Sequence, residues 1–375
     1  MFIEWFFDIN RVMFLKKFFI LFLIFSPIFV FASSDKADEV FKARVVEILN
    51  EKSVVSDQGA NVLQQNLRLI GIDGDRIGKE YFFQGIDSYQ VLKNASYKEG
   101  DNVLLLESFD ADGNAQYYVV DYVRTKTIYY LLFVFILTIV LVGKLKGLRS
   151  ILSLVLTFIV IVKYIIPQIL LGASPLFVTI IGSVLILFFI IYVTEGFKKI
   201  SHLAVLSIVI SLLISVFLSW FFVLSANLSG IFSEEIASLS LINGVTINFQ
   251  GLLLAGIIIG LLGVLDDVVI AQISTVEQLY LTDKNQSRKA IFSKAYKVGI
   301  SHISSMTNTL FLAYAGASLP LLVLLVSGDS VFGTAFDAIN NEQIATEIVR
   351  TLSGSIGLIL SVPISTVLAV YWYKK

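Results

Sequence analysis

From Thr127 to Lys375 the chain is a near-continuous series of apolar runs, and this limits its fold more than any other feature. A helix needs about 20 apolar residues to cross the hydrocarbon layer of a bilayer. Seven runs suit that length: Thr127–Gly143, Leu148–Leu171, Ser174–Thr194, Ser201–Ala226, Ile247–Ile270, Ile300–Ser327 and Ile348–Tyr373. Backbone polar groups cannot face lipid unpaired, so such runs must satisfy their hydrogen bonds internally, as helices. Pro167, Pro320 and Pro363 interrupt runs and are expected to kink or end helices. Composition points the same way. The chain is 56% hydrophobic and 15% charged, where a soluble domain carries about a quarter charged residues.

The polar stretch before the first run has a different character. FKARVVEIL, NLRLIGI, NVLLLES and YYVVDYV are short, β-branched or aromatic, and partly alternating. IDGDRIG, YKEGD and DADGN separate them as turns. Short strands with Gly/Asp turns predict a small β domain, and an OB-like barrel is the expected form. Asp110, Asp112 and Asn114, like Asp73 and Asp75, resemble fragments of a calcium loop, but hairpin turns explain them more simply. Ahead of this domain, Lys16 and Lys17 precede an apolar run ending near Ala32, the pattern of a secretory signal peptide. An uncleaved anchor helix is the alternative, and Met13 competes with Met1 as the start. The expected organisation is therefore 1–32 signal peptide, 33–125 extracytoplasmic β domain, and 126–375 a mainly α transmembrane bundle of about seven spans.

Basic residues set orientation. Lys144, Lys146 and Arg149, then Lys198 and Lys199, then Lys284, Arg288, Lys289, Lys294 and Lys297 fall in alternate connections, and the tail ends in Lys374–Lys375. The other connections, GASP, 227–246 and 328–347, carry no lysine or arginine. The β domain is expected outside the cell membrane and the C-terminus in the cytoplasm. The segment STVEQLYLTDKNQSRKAIFSKAYKVG reads as a basic amphipathic helix on the cytoplasmic surface.

An ionisable residue within a span costs at least a few kcal/mol, so it is a functional candidate by default. Asp266 and Asp267 stand at the end of the fifth run, with Val268–Ile270 still following. Neighbouring helix positions lie about 100° apart, so the two cannot share one face. Two carboxylates in a low dielectric resist double ionisation, and such a pair can bind and release a proton. The sixth run opens with polar residues. Asn308 lies roughly 9 Å deeper than His302 by helix rise, at a depth similar to the aspartates. Asn308, Thr309 and His302, with Gln272, are the supporting polar candidates; the bland reading is that they bond across packed helices. Lys163, near Pro167, is expected to snorkel to the surface, and Glu195 and Glu277 to be solvated. Ser353–Gly354–Ser355 with Gly357 forms a small-residue surface for close helix packing.

Other chemistries are narrowed by composition. The chain has no cysteine and two histidines, which removes disulfides, thiolate zinc sites and cysteine nucleophiles. The net charge of −1 gives no footprint for nucleic acid. No Walker or Rossmann pattern is present, no catalytic constellation is complete, and no cofactor or metal is expected.

GLLGVLDDVVIAQISTVEQL, GISHISSMTNTLFLAYAGASLPLLVL and EIVRTLSGSIGLILSVP together resemble the YibE/F-like bacterial membrane proteins. The similarity is expected to run from the β domain to the last helix. It implies a multi-pass membrane protein without naming a substrate, and the family name suggests a homologous partner or a homo-oligomer in the lipid bilayer. An aspartate-bearing helix followed by a Ser/Thr/Asn-rich helix is also similar to SecD/SecF and resistance-nodulation-division permeases. That similarity implies proton coupling through Asp266 or Asp267 with Asn308 or Thr309, although those permeases insert large outer domains between spans and this chain does not. The expected function is a permease-like protein for an unknown small substrate. The alternative is a non-transporting scaffold that recruits a partner through its β domain.

Overall fold

The computed structural model describes residues 39–55, 61–86, 96–110, 113–240, 246–326 and 334–374. The signal-peptide segment and Asp112 lie outside these. Two compact units divide the chain, Phe29–Thr138 and one that includes Ile139–Lys375.

The first unit holds five strands: β1 (Glu39–Val55), β2 (Asn61–Gly71), β3 (Glu80–Gln84), β4 (Asn102–Phe109) and β5 (Ala115–Tyr122). They form one antiparallel sheet in the order β3-β2-β1-β4-β5, and β3 also lies against β5. Alternation in EYFFQ buries Tyr81 and Phe83 and leaves their neighbours exposed, so β3 is a strand that the sequence reading passed over. Phe41, Ala43, Val45, Leu67, Leu69, Val103 and Leu105 complete the core. Between β4 and β5, Gly113 sits at φ +83° and Asp110 Oδ1 accepts from the Asn114 amide at 2.8 Å, as in a turn.

The helices are α1 (Thr125–Val160), α2 (Ile166–Leu170), α3 (Pro175–Leu187), α4 (Lys199–Ser225), α5 (Glu234–Leu239), α6 (Phe249–Thr282), α7 (Arg288–Ala317), α8 (Leu319–Val326), α9 (Ala335–Ile339) and α10 (Glu342–Tyr373). π-helical turns follow α1 at Ile161–Ile165 and α3 at Phe188–Val193. Pro167 and Pro320 open helices, whereas Pro363 lies inside α10.

Among the described residues, five segments are long and apolar enough to cross a membrane: Thr125–Leu170, Pro175–Val193, Lys199–Ser225, Phe249–Thr282 and Glu342–Tyr373. The difference from seven has two sources. Thr125–Leu170 joins the first two expected runs in one segment, with a break at Lys144 (φ 49°, ψ −130°). A Cβ on Gly147 would meet the Ile139 carbonyl at 2.3 Å, whereas eight residues of straight helix would hold them about 12 Å apart. The chain therefore doubles back there. The expected sixth run falls in α7 and α8, where serines, threonines and Asn308 lower the hydropathy.

The basic segment expected as a single amphipathic helix is divided between the end of α6 and the start of α7. They are parted only at 283–287, where Ser287 caps α7 by accepting from the Ala290 amide. α4 and α7 each pack on α6 and α10, which pack on each other, with α3 against α6, and Leu265, Val268, Val269, Ile273, Leu358 and Val362 lie in the shared core. Side-chain bonds join chain connections at each end. Lys146 Nζ pairs with Glu195 at 3.1 Å, and Arg288 Nε donates to the Lys374 carbonyl at 2.8 Å. At the opposite helix ends, Glu342 Oε1 accepts from the Ser229 and Gly230 amides at 2.5 and 3.0 Å, and Gln250 Nε2 donates to the Leu228 carbonyl at 2.7 Å.

Candidate functional site

α6 continues twelve residues beyond Ile270, to Thr282, so Asp266 and Asp267 lie mid-helix rather than at the end of a span. Leu265, Val268 and Val269 beside them are fully buried. The 100° between adjacent positions gives the two carboxylates different surroundings. Asp266 is partly buried, and its Oδ1 is shielded from solvent with no hydrogen-bond partner. Asp267 is exposed, on the same side of α6 as the exposed Gly256, Gly260 and Gly263.

About one and a half turns further along, Gln272 is almost wholly buried. Its Nε2 donates to the Ala295 carbonyl at 3.0 Å and to Thr366 Oγ1 at 2.7 Å, tying α6 to α7 and α10. The close approach requires Gly299: a Cβ there would meet Val362 at 2.4 Å and Gln272 Oε1 at 2.9 Å. Gly260 lies opposite the Tyr314 hydroxyl on α7. With these two anchors, helix rise sets Asp266 level with residues 305–308. Asn308, Thr309 and His302 nonetheless point outward and are exposed. Thr309 Oγ1 donates to its own helix at the Ser305 carbonyl, 3.1 Å, and no hydrogen bond among the described residues links either aspartate to these three. Thr307, at the same level, holds a shielded hydroxyl with no partner.

Glu195 and Glu277 were expected in solvent, but both have partners. Glu195 is in the Lys146 ion pair, and Glu277 Oε1 accepts from the Tyr373 hydroxyl at 3.0 Å. Lys163 occupies the first π-helical turn.

Two features escaped the sequence reading. Ser207, Ser211, Ser215 and Ser219 recur every fourth residue and form a buried ladder along α4. It packs on the small-residue face of α10: Ser219 Oγ donates to Ser353 Oγ at 2.9 Å, and a Cβ on Gly357 would fall 1.6 Å from Ser215 Oγ. The fourfold spacing was the legible signal. The second is Arg350, inside the last expected span, paired with Glu347 at 3.4 Å and with its Nε shielded and unpartnered.

The sheet unit carries a polar cleft of about 760 Å³ lined in part by Glu39, Phe41, Asp73, Arg76, Glu107 and Tyr117. The Arg76 guanidinium lies 4.0 Å above the Phe41 ring and pairs with Glu39 at 2.6 Å and Glu107 at 2.7 Å. Partial burial works against its charge, yet the bonds and fields of Glu107 and Glu39 raise its pKa overall. Burial, aided by the hydroxyl's bond to Glu107 at 3.1 Å, raises that of Tyr117. No group of three or more His, Asp or Glu among the described residues is placed to hold a metal ion.

Long apolar helices whose outward residues are largely Leu, Ile, Val and Phe define a helical membrane protein, here with carboxylates set inside an apolar helix. The chain belongs to the YibE/F-like protein family, whose model matches residues 131–375. The match begins within α1 and leaves out the sheet, so the similarity is narrower than the near-complete coverage expected. No curated protein and no solved structure matches the chain.

Proposed function

We propose that this is a permease-like membrane protein in which Asp266, aided by Asp267, is the proton-coupling group. The observation that carries the reading is the shielded, unpartnered Oδ1 of Asp266 in the middle of an apolar helix. A carboxylate in that setting is costly, and the cost is relieved when it takes up a proton. Seven spans fit this reading if the two arms on either side of Lys144 are counted separately and α7 with α8 makes the sixth. The grouping of basic connections at one end supports a cytoplasmic C-terminus and an outer sheet domain. The sheet order with β3 against β5, β1-β2-β3-β5-β4 taken in a circle, supports an OB-like barrel and with it a binding role for the domain.

The test is hydrophobic carbodiimide labelling of membranes across a pH series, read by mass spectrometry. Labelling at Asp266 that persists near neutral pH is expected. No labelling at either aspartate, while exposed Glu99 reacts normally at low pH, would overturn the reading.

The cleft around Arg76 favours a second reading, a scaffold that recruits a partner through the sheet domain. Deleting 33–124 abolishes function on that reading, while Asp266→Asn with Asp267→Asn is tolerated. The coupling reading requires the double exchange to fail.

A further inference from the structure

Most buried hydroxyls in the helical unit have a simple home. Ser207, Ser211, Ser215, Ser365 and Thr366 each donate to the carbonyl four residues earlier. Thr179 and Ser183 on α3 do not. Both side chains are fully buried, at 0% exposure, and neither hydroxyl oxygen has a partner. Leaving such a group unpaired costs about 1–3 kcal/mol, so two on one helix face call for an explanation.

Their placement supplies one. Spaced four apart, they stack one above the other with a rise of about 6 Å. Gly182 faces Ile165 in the first π turn, and Thr179 and Ser183 lie on the adjoining flank of a helix whose other main neighbour is α6. Pro175 meets Gly251 near the starts of both helices, which fixes their register. Equal steps along the two helices bring Asp266 level with Ile190 in the second π turn, about 10 Å beyond Ser183. Fifteen residues from Gly251 also return Asp266 to within about 60° of the flank that faces α3. Helix geometry thus points three shielded, unpartnered oxygens toward one seam: Thr179 Oγ1, Ser183 Oγ and Asp266 Oδ1.

We propose that Thr179 and Ser183 hold a file of ordered water that connects Asp266 to the Pro175 end of the unit. Buried water binds where polar partners otherwise lack bonds, and it needs two to four of them. Hydroxyls suit this role because each can donate to one water and accept from the next. As a route for protons the file rests on the coupling reading of Asp266; as a hydrated seam it stands without it.

The chain has no cysteine of its own, so single cysteines report directly. Thr179→Cys and Ser183→Cys are compared with Val178→Cys and Ile186→Cys, which replace buried apolar neighbours. The reagent is aqueous aminoethyl methanethiosulfonate, whose divalent sulfur the thiolate attacks to form a mixed disulfide, releasing methanesulfinate. A hydrated site favours the thiolate, so positions 179 and 183 are expected to react about tenfold faster or more. Equal, slow reaction at all four overturns the proposal. The unmodified chain gives a second reading: the Thr179 methyl is expected to show cross-relaxation with water and the Val178 methyls none. Absence of the Thr179 signal also overturns it. Reactive cysteines with an unlabelled Asp266 would leave the hydrated seam standing and remove the coupling reading. A labelled Asp266 with inert cysteines would do the reverse.

Discussion

Gly357→Ala places a methyl group where α10 crosses the serine ladder of α4. The added Cβ would lie 1.6 Å from Ser215 Oγ and 2.9 Å from Ser215 Cβ. Rotating the hydroxyl away does not suffice, because Cβ stays too close and the bond from Ser215 Oγ to the Ser211 carbonyl, 2.9 Å, would be lost. The helices must therefore separate. Overpacking of this kind costs about 1–3 kcal/mol, and the lost hydrogen bond adds about 1 kcal/mol. Small-residue contacts of this type are a main source of helix association where lipid removes the hydrophobic driving force. The expected loss is about 2–4 kcal/mol in reversible unfolding of the full chain in mixed detergent. Ser215→Gly removes both clashing atoms, so the double variant is expected to recover about 1–3 kcal/mol relative to additivity. Wild-type stability for Gly357→Ala, or no recovery in the double variant, would refute the packing argument.

Gln272→Ala removes both bonds that join α6 to α7 and α10; a loss of about 1–2 kcal/mol is expected in the same unfolding assay. Glu342→Gln gives up the charged acceptor shared by the Ser229 and Gly230 amides. Those two amides are expected to exchange hydrogen about tenfold faster, about 1.4 kcal/mol of lost protection. In the sheet unit, burial first, then the neighbouring Tyr122 and Asp121, push the Tyr97 phenol up to about 12. The folded pKa is above the unfolded value, so this contribution is fully present below about pH 10 and is lost as pH rises towards 12, at up to about 1.4 kcal/mol per pH unit. Tyr97→Phe is expected to flatten that slope, as read by near-ultraviolet circular dichroism during alkaline titration.

The membrane character of the chain was legible in the sequence because hydropathy over about 20 residues is a local property. So were most strands, the small-residue face at Ser353–Gly357 and the presence of carboxylates in an apolar run. Several things were not. β3 is only five residues long, too short for its alternation to stand out before β2 was there to pair with it. The reversal at Lys144 depends on one left-handed residue that composition does not mark. Asn308 and Thr309 have residue types suited to supporting a carboxylate, yet packing turns them away from the aspartates, since α7 rests on α6 and α10 through Ala295, Gly299 and Leu310.

Sequence alone thus determined which segments leave water, because the cost of burying each residue is its own. It could not say that Asp266 rather than Asp267 carries the shielded oxygen, or that Thr179 and Ser183 share its seam. The rotation of each helix is set by its neighbours, and a turn of 100° is enough to exchange a partly buried carboxylate for an exposed one.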